Sequence, residues 1–162
     1  MSSDSNNSPS GHVVITILSN DRPGLVATIA QQIAELEGNW MESKMVRLGG
    51  QFAGLVQAHV PAGHMDALSN VVKNLEEQGI HALVQPSENT EQAESHKRSL
   101  RIEVLSPDRP GIIRDLTHLI NTEGGNIDEL DTNYVAAPWS GELLFKATIR
   151  INLTAGSHYE TL

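Results

Sequence analysis

Apolar and polar positions along the chain change period several times, and each change marks an element. Residues 13–18 are β-branched and apolar, the pattern of a strand buried on at least one face. Leu25, Ile29, Ile33 and Leu36 then recur at helical spacing. Asp21 is the expected N-cap of this helix, and Pro23 is expected in its first turn, where a missing N–H is no loss. Gly38 is expected to stop it. Asn39 to Leu48 and Gln51 to Val60 flank Gly49-Gly50, a two-residue turn that suits a tight hairpin. Leu68, Val72 and Leu75 predict a second amphipathic helix, Gly79 lies past its end, and Ile80 to Gln85 forms a last strand. The order is βαββαβ. Right-handed crossovers turn that order into an α+β, ferredoxin-like module, a four-stranded antiparallel sheet with both helices on one face and strand one between strands three and four.

The module occurs twice. Asp21-Arg22-Pro23-Gly24 returns as Asp108-Arg109-Pro110-Gly111, an offset of 87. The same offset lays Ile15 on Ile102, Leu18-Ser19 on Leu105-Ser106, Ile33 on Ile120, Gly38-Asn39 on Gly125-Asn126, Glu42 on Glu129 and Gly54 on Gly141. Matching punctuation on both sides of a tetrapeptide is the mark of a duplication. The second copy is expected to have a strand at 100–105, a helix from Pro110 to Thr122, and strands near 126–136 and 141–153. Leu162 falls where a second helix starts, so this copy reads as truncated before its second helix and last strand, roughly 20 residues. The expected organisation is a disordered tail at 1–11, a first domain at 12–86, a linker at 87–99 and an incomplete second domain at 100–162. An uncovered strand edge in that second domain favours association, so a homo-oligomer is expected.

Composition narrows the classes. Eleven Lys plus Arg against 20 Asp plus Glu leave a formal charge of -9 with no basic island, which argues against direct nucleic-acid binding. The chain has no Cys, so disulfide frameworks, thiolate zinc sites and cysteine nucleophiles are excluded, and a reducing cytoplasm is the expected location. No basic-plus-apolar leader precedes the first strand, and no apolar run approaches the roughly 20 residues that cross a bilayer. The seven His show no HExxH-type pairing, and no phosphate loop or nucleophile elbow is present. Neither an enzyme, a metal nor a cofactor is expected. His59 and His81 fall in strand-like segments and are expected to face solvent. Trp40 and Trp139 occupy different repeat positions and read as sheet or interface packing rather than a base-stacking platform.

The chemistry that remains lies in the two loops between first strand and first helix. A helix N-terminus carries free N–H groups and partial positive charge, which favour a carboxylate. Gly24 and Gly111 leave the backbone open to a ligand. Asn20 or Asp21 has the acceptor that an ammonium group needs, so an α-amino acid matches the loop. Arg22 and Arg109 either bind the carboxylate or point into solvent. The same residues also make a well-built helix start without any ligand. Asn39 and Asn126, after the helix-stopping glycines, are further candidates.

The duplicated Asp-Arg-Pro-Gly, followed by a helix, Gly-Asn and a hairpin, resembles the ACT domain family of small-molecule-sensing regulatory modules. The run Gly38-Asn39-Trp40-Met41-Glu42-Ser43 with Gln51-Phe52-Ala53-Gly54, together with the second copy, is similar to the tandem ACT family of glycine cleavage system transcriptional repressors. The resemblance covers about residues 12–156. It implies a non-catalytic, amino-acid-sensing regulator, with glycine as a candidate effector, that acts through a protein partner such as a transcription activator. The implied effector residues are Asn20, Asp21, Arg22, Pro23, Gly24, Leu25 and Val26 in the first copy, and Asp108, Arg109, Pro110, Gly111, Ile112 and Ile113 in the second. Pro107 stands where the first copy has Asn20, so one loop is expected to be structural. The alternative the resemblance leaves open is an allosteric module of an enzyme of amino-acid or one-carbon metabolism.

Overall fold

The computed structural model describes residues 11–87 and 98–153, and the chain divides into two compact units, Met1–Asn89 and Thr90–Leu162. Most of the expected linker, the N-terminal tail and the end of the second copy lie outside the described residues.

The first unit runs β1 (His12–Asn20), α1 (Leu25–Glu35), β2 (Asn39–Leu48), β3 (Gln51–His59), a 3-10 turn (Ala62–Ala67), α2 (Leu68–Glu77) and β4 (His81–Pro86). Its sheet has the order β2-β3-β1-β4, antiparallel throughout. Strand β1 alternates cleanly. Val13, Ile15 and Ile17 are buried beneath the helices, while Thr16, Leu18 and Asn20 face outward. Leu25, Ile29 and Ile33 of α1 and Leu68, Val71 and Leu75 of α2 close over that face, so the buried row of α2 runs through Val71 rather than the expected Val72. Each such side chain contributes about 1.5–3 kcal/mol on full burial. Asn74 donates to Gln32 across the two helices at 3.2 Å, which satisfies the otherwise buried amide of Gln32.

The second unit runs β5 (Arg98–Pro107), α3 (Ile112–Thr122), β6 (Gly125–Ala136) and β7 (Leu143–Leu153), with sheet order β5-β7-β6. These are the first four elements of the same α+β, ferredoxin-like order. Even the β-bulge repeats, between Trp40 and Glu42 in β2 and between Ile127 and Glu129 in β6.

Three expectations need correction. Neither helix is capped by an aspartate: α1 begins after Gly24 at φ 84 and α3 after Gly111 at φ 87, with no side-chain cap, so Pro23 and Pro110 precede the helices. Gly38 follows the end of α1, but the left-handed residue there is Glu37 at φ 54, where the second unit has Gly124 at φ 80. Gly54 does not correspond to Gly141. Gly54 lies opposite Ile17 and Met45 in the sheet, and the same place is held by Ala147, opposite Val104 and Thr132. The β6–β7 hairpin is longer by one pair, Ala136 with Leu143, and a connection from Ala137 to Glu142, so an ungapped offset fails beyond Val135. Gly141 sits in that connection at φ 68, and the nearby Trp139 is fully exposed in the single chain.

Candidate functional site

The chain leaves β1 at Asn20 and enters α1 at Leu25, and contacts with the β2–β3 hairpin and the end of α2 hold the loop between them. Asp21 donates its N–H to the Gly50 carbonyl at 3.0 Å, tying the loop to the β2–β3 turn. Its carboxylate pairs through Oδ2 with Arg47 Nε at 2.6 Å, while Oδ1 is buried and has no hydrogen-bond partner. A buried carboxylate oxygen of this kind calls for a donor. Asn20 Oδ1 accepts from Gln51 Nε2 at 2.9 Å. Arg22 takes neither expected role: its guanidinium donates to the Gln78 carbonyl and so fastens the loop to the end of α2. The Gly24 carbonyl accepts from both the Thr28 N–H and hydroxyl. A Cβ on Gly24 would meet nothing within 4 Å, so the approach to the first turn of α1 is open. Leu25 is buried in the core and Val26 is exposed.

The second loop uses the same frame with different contents. Pro107 replaces Asn20. Tyr134, at the repeat position of Arg47, donates its hydroxyl to Asp108 Oδ2 at 3.0 Å. That hydrogen bond and the Asp108 charge push the Tyr134 phenol above its usual range. Arg109 pairs with Asp115 at 2.8 Å, and Arg114 reaches the same carboxylate at 3.3 Å. Hydrogen bonds from Arg109 and then Arg114 hold Asp115 below the usual carboxylate range. The Arg114 guanidinium lies 2.8 Å from where a Cβ on Gly111 would stand, so the space open over Gly24 is filled here. Ile112 is buried, and Ile113 packs against the second core.

Asn39 and Asn126 are not brought to these loops. Asn39 lies opposite His59, which faces His12, at the far end of β1 from Asn20, and Asn126 occupies the same place in its own sheet. A nine-residue strand spans about 30 Å. Arg47 and Tyr134, the acid's partners, were not picked out from the sequence. Their signal was present, because both stand 26 residues after the loop aspartate, but they are of different types and gave no identity. His59 and His81 are exposed, as expected, and His81 contacts Glu76 at 2.9 Å. Among the described residues no three His, Asp or Glu converge as a metal site, and no helix is long and apolar enough to cross a membrane.

The family model that matches the chain is described as the ACT domain and covers residues 11–85. Among solved structures, an unknown protein from Galdieria sulphuraria superposes with a TM-score of 0.72 at 25% identity, over 88% of this chain and 82% of that one. A structure provisionally named a glycine cleavage system transcriptional repressor superposes at 0.64 with 16% identity, over 93% of this chain and 84% of that one, a likeness of fold. No curated protein sequence matches the chain.

Proposed function

We propose that the chain, whose residues 11–85 match the ACT domain family model, is a non-catalytic amino-acid sensor whose effector site is the first loop, Asn20 to Val26. The observation that carries this reading is the contrast between the two loops. In the first, Asp21 Oδ1 lacks a donor and the helix N-terminus is open over Gly24. An α-amino acid fits both needs: its ammonium group supplies the missing donor, and its carboxylate lies against the free N–H groups at the start of α1. In the second loop, Tyr134 satisfies Asp108 and Arg114 covers Gly111, so Asp108, Arg109, Pro110 and Gly111 serve structure. The likeness to the glycine cleavage repressor fold makes glycine the first candidate effector.

The output of such a sensor passes to a protein. With a formal charge of -9, the chain lacks the cationic surface that phosphate neutralisation requires. A transcription activator of glycine cleavage, in the cytoplasm, is the partner and setting that the likeness to the tandem repressor fold suggests. Calorimetric or thermal-shift titration with the 20 amino acids tests the site. A ligand at about 100 times its dissociation constant adds about 2.7 kcal/mol. Asp21→Ala should abolish the shift and Asp108→Ala should keep it. A full screen without any shift, or loss in the Asp108 variant alone, overturns the assignment. Retention of a promoter fragment at physiological salt overturns the protein-partner reading.

A further inference from the structure

The end of β1 far from the Asn20 loop brings two imidazoles together. Elsewhere in the first unit histidine meets an acid: His64 lies 3.3 Å from Glu37 and His81 lies 2.9 Å from Glu76. His12 and His59 meet each other instead. They stand opposite in the β1–β3 register, on the sheet face away from the helices, with ring centroids 4.9 Å apart and planes at 66°. Nδ1 of His12 is buried and has no hydrogen-bond partner. A buried polar atom of this kind calls for one.

Backbone pairing sets the spacing. The Val60 N–H donates to the Gly11 carbonyl at 2.6 Å, and the Ser87 N–H donates to the His12 carbonyl at 2.9 Å. His12 therefore turns its backbone carbonyl toward β4 and faces His59 as a non-hydrogen-bonded pair, whose Cα atoms stand about 4.5 Å apart, the closer of the two antiparallel spacings. A tetrahedral cation with nitrogen ligands at about 2.0–2.1 Å needs them about 3.3 Å apart. The broad χ2 range of histidine lets neighbouring rings reach that separation. The Gln57 amide donates to Ser87 Oγ at 3.0 Å, and because β1 lies between β3 and β4 this bond crosses β1 beside His12 and walls one side of the pair.

Donor type selects the cation. Neutral imidazole suits zinc, nickel and copper, whereas magnesium and calcium take oxygen. No third His, Asp or Glu converges among the described residues, so water fills the remaining positions. In the second unit Ser99 and Asn152 hold the corresponding places, again opposite each other, and offer no imidazole. Motif spacing along the sequence could not reveal the pair, because the strand register alone joins it.

We propose that His12 and His59 form a two-imidazole binding site for a divalent transition cation of the zinc, nickel or copper class. The cation supplies a partner to an imidazole that lacks one and fastens β1 to β3. The site lies at the opposite end of β1 from Asn20 and stands whether or not the loop binds an amino acid.

Calorimetric titration of the full, untagged chain with zinc chloride and with nickel chloride tests it. One equivalent should bind. His12→Gln and His59→Gln should each weaken binding by more than about tenfold, the least that loss of a group merely supporting a metal ligand costs. His64→Gln and His81→Gln should leave it in place, and excess magnesium should not compete. Circular dichroism checks the folding of each variant. Paramagnetic nickel adds a readout that needs no variant, since it should broaden the ring NMR signals of His12 and His59 before those of any other histidine. A native chain that binds neither cation overturns the proposal. So does binding that survives loss of both imidazoles, or broadening that begins at another histidine.

Discussion

Asp21 and Asp108 are the same residue in two copies of one loop, and their partners decide what each does. Arg47 engages one oxygen of Asp21 and leaves the other unsatisfied, whereas Tyr134 donates to Asp108 through a neutral hydroxyl. The Asp108–Tyr134 bond has a measurable sign. The hydrogen bond and the nearby negative charge raise the phenol, so the folded chain holds that proton more tightly than the unfolded chain. Its contribution to stability is therefore complete below the ordinary tyrosine value, about 10, and is lost as pH rises through the higher folded value. An absorbance titration is simple here because the chain has two tyrosines, Tyr134 and Tyr159. Tyr134 should ionise later than a free phenol, and Asp108→Asn should bring it back toward the ordinary range. A midpoint that Asp108→Asn leaves unmoved would show that the bond is absent in solution.

Helix ends show where the duplication left a local conflict. The N–H of Glu37 bonds to the Ala34 carbonyl and that of Gly38 to the Ile33 carbonyl, at 2.9 and 3.0 Å, a Schellman closure with glutamate in the left-handed position. Gly124 fills that position in α3 without strain, whereas a side chain there costs about 1–2 kcal/mol. The Glu37–His64 contact at 3.3 Å involves a mostly exposed carboxylate and offsets little. Glu37→Gly should therefore stabilise the chain by about 0.5–1 kcal/mol in urea denaturation, after allowance for the freer unfolded chain. A loss of stability would mean that the ion pair outweighs the backbone. The identity of the left-handed residue was not legible in the sequence. The pair Glu37-Gly38 suggests glycine, but a Cβ on Gly38 would lie 2.9 Å from the Ile33 carbonyl, so that glycine answers close packing instead. Strand order, both hairpins and the alternation of β1 were legible, because burial on one face writes a period of two directly into residue type. The longer β6–β7 connection was not, because Gly141 in the loop imitated the match to Gly54. The contrast between the loops was legible only in Pro107, whereas what fills the second loop was not, because it depends on Tyr134 from β6 and Arg114 from α3.

The two units differ in how much apolar surface they bury, and this should divide their unfolding. Fifteen buried residues form the first core, from Val13 to Ile80, against five in the second, Ile120, Ala147, Ile149, Ile151 and Leu153, among the described residues. In β5 the residues Leu100, Ile102 and Val104 are only partly covered. Burial is the main stabilising contribution, so the second unit should open first. The two tryptophans make this visible without labels. Trp40 packs against the first core, while Trp139 is already 100% exposed and changes little on unfolding. Fluorescence therefore follows the first unit and far-ultraviolet circular dichroism follows both. With rising urea the dichroism should begin to fall before the fluorescence moves, and the two curves should not coincide. Coincident curves would mean that the units unfold as one cooperative body. If the effector sits at Asn20 to Val26, adding it should shift the fluorescence transition to higher urea and leave the earlier dichroism step in place, because binding stabilises the unit that holds the site.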